Sequence, residues 1–161
     1  MKEVLVEQAM TPDPVTVTGD TSVTDVAKIM VKRSIGGIPV VDDTGELIGI
    51  VTESDLVVQD SDVKFPSFVS FLSGYVFVPG SLHKFNEKFK KAVASNAGDV
   101  MTEDVITVEA SDSAEHAATL MTNKKLKRFP VISEGKLVGI LTMADIIKLI
   151  SRDIPVEGTE E

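Results

Sequence analysis

The sequence predicts an α+β protein made of two copies of one folding unit that share a core, with an aromatic-rich insertion between them. Three observations predict it. Met10-Thr11-Pro12-Asp13-Pro14-Val15-Thr16-Val17 returns as Met101-Thr102-Glu103-Asp104-Val105-Ile106-Thr107-Val108. Ile38-Pro39-Val40 returns as Phe129-Pro130-Val131, and the run Gly45 to Asp55 returns as Gly135 to Asp145. Within each copy the apolar residues pass from strand rhythm to helix rhythm and back, reading strand, helix, strand, turn, strand, helix. A repeat this long implies two equivalent places where chemistry or binding can sit. Each copy spans about 47 residues, too few for a comfortable independent core, so the two are expected to share one.

In the first copy Val15–Val17 reads as a short strand, and Asp20, Thr21 and Ser22 are helix-start residues. Val23, Val26, Ala27, Met30 and Val31 then recur on one helical face. Gly36-Gly37 is expected to end that helix. Ile38–Val41 and Leu47–Val51 are β-rich runs joined by the turn Asp42-Asp43-Thr44-Gly45, and Thr52 starts a second helix. The second copy repeats the plan with Ala114, Ala117, Ala118 and Met121 as the helix face and a shorter turn, Ser133-Glu134-Gly135. Its alanines either flatten the helix for close packing or serve simply as good helix formers.

These elements divide the chain into a first repeat over 6–56, an insertion over 57–98, a second repeat over 99–151 and an acidic flexible tail over 152–161. Six of the seven phenylalanines and the only tyrosine fall within Phe65–Phe89. Phe65 to Leu72 reads as a short apolar helix and Tyr75–Val78 as an extended run stopped by Pro79-Gly80. From Ser81, the residues Leu82, Phe85, Phe89 and Val93 mark an amphipathic helix with lysines on its wet side. Core or interface packing is the plainer use of these aromatics; covering a pocket or stacking on adenine are the alternatives.

Composition narrows the function. A net charge of −9 on 161 residues disfavours a broad nucleic-acid surface. Basic residues gather only at Lys84, Lys88, Lys90 and Lys91 and at Lys124, Lys125, Lys127 and Arg128, which suits a small anion better than a nucleic acid. The absence of cysteine excludes thiolate metal sites, disulfides and a cysteine nucleophile. No apolar run approaches a membrane span, and the opening residues lack the form of a signal peptide, so a cytoplasmic protein is expected. No Gly-rich phosphate loop, HExxH or Gly-x-Ser-x-Gly is present, and His83 and His116 stand alone, so no catalytic residue and no metal site is assigned and no enzyme is expected.

The chemistry sits where the third strand of each copy ends: Gly49-Ile50-Val51-Thr52-Glu53-Ser54-Asp55 and Gly139-Ile140-Leu141-Thr142-Met143-Ala144-Asp145. A hydroxyl followed three residues later by a carboxylate caps a helix. The same geometry offers a hydroxyl and open N–H groups to a phosphate and a carboxylate to the two hydroxyls of a ribose. Pro39 and Pro130 enter strand two of each copy and leave neighbouring carbonyls free to meet a base edge. Thr16 and Thr107 occupy equivalent places in the first strand of each copy, where β-propensity is explanation enough.

Two copies of this plan, each opening with Met-Thr and closing with Gly-hydrophobic-hydrophobic-Thr-x-x-Asp, resemble a tandem cystathionine-β-synthase (CBS) domain pair, or Bateman module. The resemblance covers roughly Val6–Leu56 and Ala97–Ile150. It implies two pseudo-twofold related β-α-β-β-α repeats packed through their sheets into one module, with a mostly helical aromatic insertion between them. It further implies a regulatory sensor that needs no cofactor, binds AMP, ADP, ATP or S-adenosylmethionine as a regulatory ligand, forms a disc-like homodimer and signals to a separate effector protein. By position, Asp55 and Asp145 match ribose-binding carboxylates with Thr52 and Thr142 beside them, and Thr16 and Thr107 match pocket-lining threonines. Ile38-Pro39 and Phe129-Pro130 match segments whose backbone meets the base, and Lys127 and Arg128 match basic residues aimed at phosphate. Copy one carries Gly36-Gly37 where copy two carries Lys127-Arg128, so one dominant nucleotide site per chain is expected, and Gly37 enters the site set as the partner of Arg128. The alternatives are an assembly module in which the Thr-x-x-Asp pairs act only as caps, and a nucleotide-hydrolysing enzyme.

Overall fold

The computed structural model describes residues 4–57 and 95–153 and divides into two compact units. Of the described residues, one comprises 4–15, 43–47 and 104–153; the other comprises 16–42, 48–57 and 95–103. Along the chain the described elements are α1 (Val6–Ala9), β1 (Thr11–Pro12), β2 (Val17–Thr18), α2 (Val23–Arg33), β3 (Gly37–Val41), β4 (Leu47–Thr52) and α3 (Glu53–Val57). They continue as α4 (Ala97–Val100), β5 (Val108–Glu109), α5 (Ala114–Lys124), β6 (Arg128–Ser133), β7 (Lys136–Thr142) and α6 (Met143–Asp153). The segments expected as a helix over Phe65–Leu72, an extended run over Tyr75–Val78 and a helix from Ser81, with the first lysine cluster, lie outside the described residues. So do residues 154–161; α6 runs through Arg152 and Asp153, two residues into the stretch expected as tail.

In the unit that carries the second copy, β5 and β6 run parallel, with Val108 opposite Val131, and α5 supplies the crossover that parallel neighbours require. β6 and β7 form an antiparallel hairpin turned at Glu134 and Gly135, both with positive φ. The fourth strand of this sheet comes from the beginning of the chain: β1 pairs antiparallel with β7, Thr11 opposite Ile140 and Pro12 opposite Gly139. α1 is held beside it, with Val6 N–H donating to the Asp112 carbonyl at 2.8 Å and Glu7 N–H to the Ala110 carbonyl at 3.0 Å. Val6, Val108, Ala117, Met121, Phe129, Val131 and Leu141 close the core of this unit.

The other unit is built alike, with a sheet in the order β2-β3-β4 and β2 parallel to β3, Val17 opposite Val40. α4 takes the place that α1 holds above: Ala97 N–H donates to the Thr21 carbonyl at 2.7 Å and Gly98 N–H to the Gly19 carbonyl at 2.8 Å. Val17, Val26, Met30, Ile38, Val40, Val51, Ala97 and Val100 form its core. The repeated Met-Thr thereby acquires a packing role. A Cβ at Gly139 would overlap the Met10 sulfur and lie 2.9 Å from the Thr11 carbonyl oxygen, and a Cβ at Gly49 would overlap the Met101 side chain.

Five expectations are adjusted. Among the described residues each unit closes its own cluster of buried apolar side chains, where one core shared by the copies is expected. The first strand of each copy is shorter and shifted, leaving Thr16 and Thr107 just before β2 and β5 rather than in them. α2 ends at Arg33 with Ser34 in the left-handed region, and α5 ends at Lys124 with Lys125 in the same conformation, so neither helix is stopped by Gly36-Gly37 or a glycine at all. Each of these caps still closes its helix, because its N–H donates back to carbonyls of the last turn, those of Met30 and Val31 and of Met121 and Thr122. On α2, Val23, Val26 and Met30 are buried as expected, but Ala27 is only partly buried and Val31 is 82% exposed, both on the wall of an open groove. Ala118 is only partly buried beside the buried Ala114 and Ala117.

Candidate functional site

Both Thr-x-x-Asp pairs stand at strand-to-helix corners. At the first, β4 ends at Thr52 and α3 begins at Glu53; Thr52 N–H donates to Asp55 Oδ2 at 2.7 Å and Thr52 Oγ1 donates to the same oxygen at 3.0 Å. At the second, β7 ends at Thr142 and α6 begins at Met143, and the corresponding bonds to Asp145 Oδ2 are 2.9 Å and 2.6 Å. Here the bonding is reciprocal, because Asp145 N–H also donates to Thr142 Oγ1 at 3.3 Å. In each copy one carboxylate oxygen is thus spent on the corner itself, accepting from the N-cap N–H as the third helical residue of a capping box does.

The two corners differ in what remains. Asp145 is 7% exposed, and its second oxygen, Oδ1, lies 3.3 Å from Lys148 Nζ one turn along α6. Asp55 is only partly buried, and among the described residues its Oδ1 takes no hydrogen bond. Lys148 was not among the residues picked from the sequence. Its signal was present as Asp-x-x-Lys, the spacing that brings opposite charges together on a helix.

Backbone hydrogen bonds bring the remaining residues to their corners. Met143 N–H donates to the Lys127 carbonyl at 2.9 Å, and Arg128 stands directly across the ladder from Thr142, followed by Phe129 opposite Leu141 and Pro130 opposite Ile140. In the other unit Glu53 N–H donates to the Gly36 carbonyl at 3.1 Å, so Gly37, Ile38 and Pro39 lead away from the Thr52 corner along β3. The side chains of Ile38, Pro39, Phe129 and Pro130 are fully buried, which leaves only their backbone to meet a ligand. Lys127 is exposed and Arg128 half-buried. Thr16 and Thr107 precede the strands that flank β3 and β6, and among the described residues neither hydrogen-bonds to its corner.

An open, largely apolar groove of about 480 Å³ borders the first corner, lined by Ala27, Met30, Val31, Ile35 and Leu56 with Ser34, Gly36 and Glu53. Neither Thr52 nor Asp55 lines it. Among the described residues no cluster of three His, Asp or Glu side chains is placed to hold a metal ion, and no helix is long and apolar enough to cross a membrane.

This doubled architecture, with a Thr-x-x-Asp corner in each half, has a match at family level. The CBS domain model matches residues 6–61 and again 97–152. The chain belongs to the CBS-domain family. Among relatives, it is 31% identical over 155 residues to the uncharacterized protein MJ1426 of Methanocaldococcus jannaschii, covering 92% of each chain. It is 34% identical over 132 residues to the chloroplastic CBS domain-containing protein CBSX2 of Arabidopsis thaliana, covering 80% of this chain but 55% of that one. The crystal structure of CBSX2 in complex with AMP superposes with a TM-score of 0.68 at 28% identity, covering 92% of this chain and 97% of that one. The α+β repeat architecture expected of a CBS pair is therefore the architecture found.

Proposed function

We propose that this CBS pair is a regulatory module that binds an adenosine-type nucleotide and reports its occupancy through a change of conformation or dimer geometry. The observation that carries this reading is the AMP complex of CBSX2, a CBS-domain relative of the same fold. Thr52, Asp55, Thr142 and Asp145 stand at corners whose hydroxyl and carboxylate groups suit a ribose. Gly37, Ile38, Pro39, Phe129 and Pro130 supply backbone for a base, Lys127 and Arg128 supply cations for phosphate, and Thr16 and Thr107 line the approach. AMP, ADP, ATP and S-adenosylmethionine share the adenosine portion these groups would hold. The module works as a binder rather than a catalyst, as a homodimer in the cytoplasm, and it acts on a separate effector protein.

A ligand that binds only the folded state stabilises it by RT ln(1 + [L]/Kd), about 2.7 kcal/mol at a hundred times Kd. Differential scanning fluorimetry with AMP, ADP, ATP and S-adenosylmethionine should therefore show at least one melting temperature that climbs with ligand concentration. No shift with any of the four would remove the nucleotide reading. Arg128→Ala should weaken the binding of a phosphorylated ligand, as read by calorimetry; unchanged affinity would take Arg128 out of the phosphate role.

A second reading has one specific observation behind it. Both carboxylates cap their own helices, which is what an assembly module with vestigial pockets would show. Flat melting curves with every nucleotide, combined with a stable oligomer in light scattering, would favour it. Phosphate release from ATP over hours would instead point to hydrolysis.

A further inference from the structure

The two corners offer a sugar different amounts of free acceptor. We infer that Lys148 is a specificity-determining residue, which holds the Asp145 carboxylate out of ligand binding and leaves Asp55 as the carboxylate that grips the sugar. This inference rests on the nucleotide reading above.

A vicinal diol presents two O–H donors side by side and needs two acceptors free to receive them. At Thr52–Asp55 the threonine hydroxyl donates its one proton to Asp55 Oδ2, and among the described residues no donor reaches its lone pairs or Asp55 Oδ1. At Thr142–Asp145 the same groups are committed. Thr142 Oγ1 already accepts from Asp145 N–H, Asp145 Oδ1 receives Lys148 Nζ at 3.3 Å, and the carboxylate side chain is 8% exposed. A diol arriving there would have to displace an ammonium from a carboxylate that has no further exposed oxygen to offer. One arriving at Asp55 displaces, among the described residues, no donor from Oδ1.

Lys148 is the removable part of this difference. Its own side chain is 68% exposed, so it can be exchanged without opening the core. It belongs neither to the threonine–aspartate cap nor to the strand ladder, so its loss leaves the fold of the corner in place. Arginine at 148 can keep the charge pair, whereas methionine keeps the length and removes the charge.

The test is AMP binding by isothermal titration calorimetry to the whole chain and its variants. In the wild type one strong event is expected, weakened at least tenfold by Asp55→Asn and less than threefold by Asp145→Asn. Lys148→Met should add a second, weaker event and raise the stoichiometry from one AMP per chain toward two, while Lys148→Arg should reproduce the wild type. 2′-Deoxy-AMP, which lacks one donor of the diol, should lose most of the Asp55-dependent affinity. Should Asp145→Asn fail to fold, the Lys148 pair still decides the matter. A Lys148→Met titration identical to the wild type, or strong AMP binding that survives Asp55→Asn and disappears with Asp145→Asn, overturns the inference while leaving the nucleotide reading intact. Absence of AMP binding in every protein overturns both.

Discussion

The Thr52–Asp55 and Thr142–Asp145 corners descend from one sequence pattern and differ in how completely their polar groups are used. In the second copy every strong acceptor of the pair has a partner, and the carboxylate is buried. In the first, the pair is only partly buried, and among the described residues Asp55 Oδ1 and the Thr52 hydroxyl accept no hydrogen bond. Capping and ligand binding therefore compete for the same atoms: a corner that satisfies itself is a good helix start and a poor sugar site. The proposal above would make this a duplicated element that keeps its structural role in both places and its binding role in one.

The largest expected effect sharpens the comparison at the core. Phe129 and Ile38 occupy equivalent strand positions, and both are fully buried. Phe129→Ala should cost about 4 kcal/mol and Ile38→Ala about 3 kcal/mol, because each leaves a cavity scaled by the volume removed. Urea denaturation reads both. Equal and small losses would show that neither strand is packed as described.

Next comes the close approach of strand and methionine. At Gly139 an added Cβ meets backbone as well as side chain, since the Thr11 carbonyl oxygen lies 2.9 Å away, whereas at Gly49 the three nearest atoms all belong to the Met101 side chain. Gly139→Ala should therefore cost about 3 kcal/mol and Gly49→Ala about 1 kcal/mol, because a side chain swings aside more cheaply than a paired strand. The reverse order in thermal or chemical melts would mean that the pairing of β1 with β7 is looser than its register implies.

The corners themselves follow. Asp145→Ala removes a buried acceptor from the Thr142 N–H and hydroxyl and should destabilise by about 2 kcal/mol; Asp55→Ala, half-open to water, by about 1 kcal/mol. Binding of AMP should show the opposite ranking. A variant pair in which stability and affinity fall together at the same corner would break the division of labour between the copies.

Much of this was legible in the sequence because it is local. The serines that start α2 and α5, the turns at Gly45 and Gly135, and the switch from strand to helix at Thr52 and Thr142 are all written within a few residues of where they act. The partner of β1 was not legible. Thr11 pairs with Ile140, far along the chain, and no local pattern announces a non-local ladder. The helix ends misled for a different reason: glycine is the favoured left-handed residue, yet Ser34 and Lys125 adopt that conformation and the nearby glycines do not. At the site, Thr-x-x-Asp was readable as both cap and grip, but the pattern stops at the aspartate. Lys148 lies one turn beyond it, and it is the side chain that separates the two copies.

The smallest expected effect tests where that separation ends. Ser22 accepts from Asp25 N–H at 3.1 Å and Ser113 accepts from His116 N–H at the same distance, so the two caps are alike in geometry. Ser22→Ala and Ser113→Ala should each cost about 1 kcal/mol, since each strands one N–H of the first turn. The charges nearby do not alter this much. Asp25 and Glu115 both place an acid in the first turn, and the Lys28–Asp25 pair is exposed on both sides. Equal losses would confine the inequality of the copies to the residues around Asp55 and Asp145. A difference well beyond measurement error would carry it into the helices that support them, and the binding asymmetry would then have to be explained by the scaffold rather than by Lys148 alone.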